Sequence, residues 1–367
     1  MSKLYIAGAG AGKTTKLIKD SLELSESKKI LITTFTNANA KSIECKIKKE
    51  VGVLPANIEI KTWFSFLLQD GIRPYQGEIF KTRINGMIMQ LDTVQERNRY
   101  GKKNLNKYVS NNRMYSDKIA FMVIKLNQKN KGAVFDRIAK IYDYIFIDEV
   151  QDMAGYDFEI IRELLHHSVE IIMLGDLRQH TYSTNYESKN KNYRGKIDEY
   201  ITDKCCDLDV EIDTTTLNKT HRNNVDICEF SNRIFPEREP VEAYRSLIDA
   251  TCGVYLIRKE YIDVYLKEFN PMQLRNDKRV KVNECYSCMN FGESKGTEQE
   301  RVLIYPTNTI WKWLKDPNNS KNNLKEKTKA AFYVAVTRAR NSVCIVRKDD
   351  ASIELLKDYK IKSEEEL

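Results

Sequence analysis

"IAGAGAGKTT", residues 6–15, decides the fold. It continues the short apolar run "KLYIAG" and opens "GKTTKLIKDSLELSES", where Leu17, Ile18 and Leu22 fall at helical spacing. A glycine-rich turn between a buried strand and a helix lets backbone N–H groups curl around phosphate oxygens, at the helix end that favours an anion. Gly8, Gly10 and Gly12 supply the turn, and Lys13 reaches the β- and γ-phosphates. The Thr14 hydroxyl suits Mg²⁺, and Thr15 stands beside it at the start of the helix. The usual pattern has glycine where Ala7 stands. A plain flexible turn is the alternative; the strand before and the helix after favour phosphate binding.

The pattern repeats outward from that loop. "KKILITTF" reads as a second strand, "NANAKSIECKIKKEV" as a helix with Ile43, Ile47 and Val51 four apart, and "NIEIKT" as a third strand. Further on, "YIFIDEVQDM" (144–153) is an apolar strand ending in acids, followed by the helix "DFEIIRELLHHS" and the strand "VEIIMLGD". Asp148 emerges at the carboxyl edge of such a sheet, where it can hold Mg²⁺, and Glu149 can polarise an attacking water as general base. A second series begins near residue 211 with "GVYLIRK", "ERVLIYP", the helix "KEKTKAAFYVAVTRA" and the strand "SVCIVRK". Alternating strands and helices predict α/β domains with mostly parallel sheets covered on both faces. The expected division is 1–210, then 211–350, then a charged tail over 351–367 forming one helix and an unstructured end.

Composition narrows the class. The chain has 367 residues, 41% of them hydrophobic and 31% charged, which is ordinary for a globular protein. No run approaches about 18 consecutive apolar residues, so no membrane partner is expected. The N-terminal stretch does not read as a signal peptide, and eight irregularly spaced cysteines do not form a disulfide framework. A cytoplasmic location with reduced thiols is the expectation. The net charge of +8 is uneven: between Lys81 and Gly132 twelve Lys/Arg stand against three Asp/Glu. Tyr100, Tyr108 and Tyr115 are interleaved there, a pairing that suits a single-stranded nucleic acid. A solvated helical face with ordinary tyrosines fits the same charge.

Eight strings stand in the order of known motifs: "AGAGAGKT", "ITTFTNANA", "IKTWFSF", "FIDEVQD", "LGDLRQHTY", "LNKTHRNN", "SKGTEQERVLI" and "YVAVTRAR". Together they resemble the superfamily 1 helicases of the UvrD/Rep type, over residues 6 to about 346. The resemblance implies two RecA-like P-loop NTPase domains with ATP and Mg²⁺ as substrate and cofactor, and single-stranded DNA as partner. It implies that Gln179 contacts the γ-phosphate and that Arg222 and Arg338 reach it as arginine fingers. Gly296 and Glu298 would help close the nucleotide site. Thr36, Asn37, Thr62 and Trp63 would line the DNA track, though Trp63 and Phe64 read equally well as core.

The sequence departs from the family in several places. His221 replaces the tyrosine that stacks on adenine, and no glutamine motif precedes the first strand, so ATP preference is not implied. "QHTYSTNY" lacks the family's "WRG", leaving Tyr182 or Tyr186 as the base-stacking aromatic. The first accessory insertion can only be the basic segment, about 72–133, and the second is absent or a remnant. Cys285 and Cys288 in "ECYSCMNF" read as residues three apart on a strand, facing opposite sides and unable to share zinc. The expected activity is a DNA helicase or translocase moving 3′→5′. The competing expectations are an NTPase sensor subunit working with a nuclease or other DNA-processing protein, and a small-molecule kinase.

Overall fold

In the computed structural model, which describes residues 1–89, 105–185, 188–351, 353, 354 and 356–359, the strands flanking the glycine-rich loop join one sheet. Its order is Ile58–Thr62, Ile30–Thr34, Tyr144–Asp148, Glu170–Gly175, Ser2–Ile6, Val210–Asp213. Every neighbouring pair is parallel. Leu4 and Ile147 both pair with Met173, and all three are fully buried, as are Leu31, Ile32 and Ile145. Strands covered on both faces need such near-continuous apolar runs. Because the strands run the same way, the glycine-rich loop after Ile6 and the acids after Ile147 leave the sheet at the same edge.

Contacts divide the chain into two compact units: Met1–Ile6, Lys13–Leu177 and Tyr182–Asp213 in the first, Ala7–Gly12, Arg178–Thr181 and Thr214–Leu367 in the second. The first unit adds a small sheet of Gly86–Ile88, Arg113–Tyr115 and Val109–Ser110. It also contains the helix Ser116–Lys129, which carries part of the basic segment. That helix is not a solvated face: Ile119, Ala120, Phe121, Met122, Val123 and Leu126 sit in the unit's core. Tyr108 is buried edge-on against Phe121. Tyr100, Tyr186 and positions 90–104 of the basic segment lie outside the described residues.

The second unit has its own parallel sheet, in the order Cys288–Asn290, Met272–Arg275, Gln299–Ile304, Ala339–Val346, Gly253–Ile257, Lys357–Asp358. Leu274, Val302, Ile304, Val343 and Ile345 pack there against Trp311, Trp313 and Phe332. The fold class is therefore the expected one, two RecA-like α/β domains with mostly parallel sheets. Two local expectations are corrected. The charged tail forms no helix over its described part: Lys357–Asp358 adds an edge strand beside Tyr255 and Leu256, anchored by buried Ile353. The strand near the cysteines starts only at Cys288, and Cys285 lies exposed in the preceding turn, so opposite faces of one strand do not separate them. No helix among the described residues is long and apolar enough to cross a membrane.

Candidate functional site

In the first unit stand Lys13, Thr14 and Thr15, which follow the loop, and the acids Asp148 and Glu149. The helix Lys13–Glu23 begins directly after Gly12, so Lys13, Thr14 and Thr15 form its first turn. Lys13 Nζ lies 4.0 Å from Glu149 Oε1. Asp148 ends its strand almost buried, and its carboxylate accepts the Glu149 N–H at 3.0 Å. Glu149 adopts left-handed backbone angles, φ 56° and ψ 40°, which cost a side-chain-bearing residue about 1 kcal/mol or more. The turn takes the chain off the sheet and leaves the carboxylate facing Lys13.

Gln151 holds that geometry, and sequence reasoning missed it although it stands inside "FIDEVQD". Its Nε2 donates to Glu149 Oε2, while its Oε1 accepts from the Asp176 N–H at 3.2 Å. A Cβ at Gly175 would meet Gln151 Oε1 at 2.7 Å and Val150 Cγ1 at 2.9 Å, so a larger residue there would push the Gln151 amide out of place. Asp148 and Thr14 offer hard oxygen donors at one sheet edge, the chemistry that suits Mg²⁺ held jointly with phosphates. Glu149, oriented by Gln151 and opposite Lys13, is placed to polarise a water.

The second unit holds Ala7–Gly12 of the loop. Gly8 N–H donates to Leu217 O at 2.9 Å, and His221 N–H to Gly10 O at 3.0 Å. Gly10 has φ 73°, and a Cβ there would lie 2.6 Å from Arg222 Cβ. The arginines follow from this packing. Arg222 Nε donates to Glu298 Oε2 at 2.9 Å, and Arg340 donates to Glu298 Oε1 at 2.9 Å. Burial pushes the Glu298 carboxyl up, but the two guanidiniums outweigh it and hold it below its ordinary value. Arg338 is 2% exposed and donates to Val334 O at 3.0 Å, Thr297 O at 3.2 Å and Gln179 Oε1 at 3.2 Å. Lys295 Nζ donates to Gln179 O at 3.1 Å. Gly296, next to Lys295, turns with φ 86°.

His221 stacks on Tyr244, rings 4.2 Å apart at 15°, and Lys219 Nζ lies 4.5 Å from the Tyr244 centroid. Tyr244 is 57% exposed. Tyr244 was not legible as a site residue, because it lies 23 positions from His221 outside any motif string. Only the pairing of Lys219–Asn224 with Glu242–Arg245 brings the two rings together.

The residues expected on a nucleic-acid track divide. Thr36 and Asn37 are exposed at the start of the helix Asn37–Val51, where Thr36 Oγ1 accepts the Asn39 N–H at 3.1 Å. Tyr182 is 43% exposed. Thr62 is buried and caps the short helix Trp63–Phe66. Trp63 is fully buried, so its ring is core and the expected strand contact is corrected. Its Nε1 donates to Asp157 Oδ1 at 2.7 Å.

Asp157 is itself fully buried. Its Oδ2 accepts from the Thr184 hydroxyl, the Asn185 amide at 3.3 Å and the Ala154 N–H at 3.3 Å. Burial raises this carboxyl from 3.8 to about 6, against the pull of those donors. Since the folded pKa lies above the unfolded one, the folded chain binds the extra proton between them. This group's contribution to stability therefore falls as pH rises from about 4 to about 6, by up to ~3 kcal/mol. Asp157→Asn, which has no proton to titrate, is expected to gain on the natural protein by that margin across the window in denaturant unfolding. A difference that stays flat with pH refutes the assignment.

A family model described as the viral superfamily 1 RNA helicase core domain matches residues 96–347, and one described as an AAA domain matches residues 2–185. No curated protein matches. Among solved structures, the arterivirus nonstructural protein 10 (helicase) is 14% identical with a TM-score of 0.48, covering 96% of this chain and 61% of that one. The same arterivirus protein in complex with DNA is 15% identical with a TM-score of 0.48, covering 94% and 60%. The chain thus spans about 60% of the length of these proteins.

Proposed function

The chain belongs to the superfamily 1 helicases, and from that premise we propose that it is an ATP-driven motor that moves on single-stranded DNA, 3′→5′ as in the UvrD/Rep type. The observation that carries the reading is the bond from Arg338 to Gln179 Oε1. It joins a candidate arginine finger to the side chain expected to sense the γ-phosphate. Lys13 and the backbone of Gly8, Gly10 and Gly12 bind the phosphates. Thr14 and Asp148 would hold Mg²⁺, which when bound neutralises charge on the β- and γ-oxygens. Glu149 takes the proton of the attacking water, and Arg222 and Arg338 stabilise the charge that develops. His221 and Tyr244 offer a stacking face for the base, which discriminates weakly among nucleobases because every base has a π-face. Thr36, Asn37 and Tyr182 contact the strand.

The test is steady-state ATP hydrolysis at low salt, with and without single-stranded DNA, with Lys13→Ala as the blank. Stimulation by about tenfold, or 1.36 kcal/mol of barrier, is expected. The log–log salt slope of DNA binding should be about −0.7 per phosphate neutralised. Single-stranded RNA run in parallel decides the polymer, since the family model is described for RNA helicases. Hydrolysis indifferent to both strands moves the reading to an NTPase sensor subunit. Phosphorylation of a metabolite moves it to a kinase. Tyr244→Ala should raise KM for ATP by about two- to tenfold with kcat little changed, the scale of one lost aromatic stack.

A further inference from the structure

Asp157 plays no part in the chemistry above, yet it collects four hydrogen bonds from three separate segments of the first unit. Trp63 comes from the segment after the third strand, Ala154 from the loop after the acids, and Thr184 and Asn185 from the segment after "LGDLRQHTY". The same join is reinforced twice more. Thr184 N–H donates to Asp152 O at 3.0 Å, and Asn185 packs so closely on Gly155 that a Cβ there would meet its Oδ1 at 2.2 Å. Gly155 has φ 60°, a conformation that glycine adopts without penalty.

The place of this join in the chain gives it a consequence. The chain leaves the first unit at Leu177, contributes Arg178–Thr181 to the second, and returns at Tyr182. Gln179, the candidate phosphate sensor, is on the outgoing stretch, and Tyr182, the candidate base-stacking ring, is at the return. Thr184 and Asn185, just after Tyr182, are tied through buried bonds to Asp157 and to Ala154 in the loop that follows the acids.

We propose that Asp157 is a positioning residue: it anchors the return of the Gln179–Tyr182 segment to the loop that follows Asp148 and Glu149, so that Tyr182 is presented to the strand in fixed register with the hydrolytic acids. This rests on the motor reading for the role of Tyr182, but the anchor itself can be measured without nucleic acid.

Two variants separate the effects. Asp157→Ala removes every acceptor at once, and Thr184→Val removes a single hydroxyl at nearly constant shape, so it keeps the test usable if the first does not fold. Hydrogen exchange at the backbone amide of position 184, corrected for the intrinsic rate of the residue there, should speed up by about tenfold or more in each folded variant. The polythymidylate concentration that half-saturates ATPase stimulation should rise by about fivefold, the scale of one lost hydrogen bond. The DNA-free rate and the DNA-saturated kcat should stay within about twofold of the natural protein, a split that loss of overall stability would not produce. Unchanged exchange in Thr184→Val overturns the anchor. A DNA-free rate that falls as far as the stimulated one overturns the positioning role. If the natural protein is not stimulated by any strand, the motor reading fails and takes the role of Tyr182 with it, while the exchange data still decide the anchor.

Discussion

Glu149→Gln is expected to lower kcat for ATP hydrolysis by about 10²–10⁴-fold, the range for removal of a positioned general base, while KM changes by only a few-fold. The reason lies in the local geometry. Glu149 is held in a left-handed turn with its carboxylate opposite Lys13 and fastened by Gln151. Glutamine keeps the volume and an acceptor oxygen but cannot take a proton from water. In the proposed mechanism the phosphates are bound by Lys13 and the loop backbone, which the substitution leaves in place. Near-normal turnover would remove Glu149 from the mechanism and direct attention to Asp148 or Asp152. Fluorescent-nucleotide binding alongside steady-state kinetics separates the two quantities.

Arg338→Lys is expected to cost about 10³–10⁵ in kcat, the range seen when an arginine finger is lost in related phosphoryl transfers. Lysine retains the charge, so a loss of this size would come from geometry. The guanidinium donates in different directions, among others to Val334 O, Thr297 O and Gln179 Oε1. A single ammonium cannot reproduce that fork. Gln179→Ala deletes the acceptor and, if the pair acts as one unit, its effect should not add to that of Arg338→Lys in the double variant. Full additivity would show that Arg338 and Gln179 serve separate steps. Arg338 is also buried, so unfolding of each variant must be followed by circular dichroism to separate instability from lost catalysis.

Much of the architecture was legible because its signals are local. The apolar runs at 2–6, 30–34, 58–62, 144–148 and 170–175 each form a strand, and all of them pair in parallel. Each carries enough buried surface in a few residues to be recognised without knowing its partners. The loop residues Gly8, Gly10 and Gly12, the first helical turn with Lys13, and the acids Asp148 and Glu149 were legible for the same reason. Chemistry that needs a fixed spacing along the chain leaves a fixed string.

The misreadings came where distant segments decide. The helix Ser116–Lys129 carries cations that made its segment look like surface, yet Ile119, Phe121, Met122 and Val123 bury it. Charge counts do not reveal which face of a helix meets the core. Trp63 read as strand-binding or core with equal weight, and the deciding fact is a carboxylate 94 positions away. Tyr244, Gln151 and Asp157 gained their significance from partners that no spacing rule predicts: a ring at His221, the backbone at Asp176, a hydroxyl at Thr184.

The sequence by itself determined the class of fold and singled out the residues proposed to handle phosphate, cation and attacking water, because strand periodicity and a glycine-rich loop are written in consecutive residues. Only the tertiary structure decided which side chains hold those residues in place, as Gln151 holds Glu149, which aromatic rings are exposed and which are core. Burial and hydrogen-bond direction depend on segments that meet in space, and a buried polar group such as Asp157 is tolerated only where all of its partners arrive together.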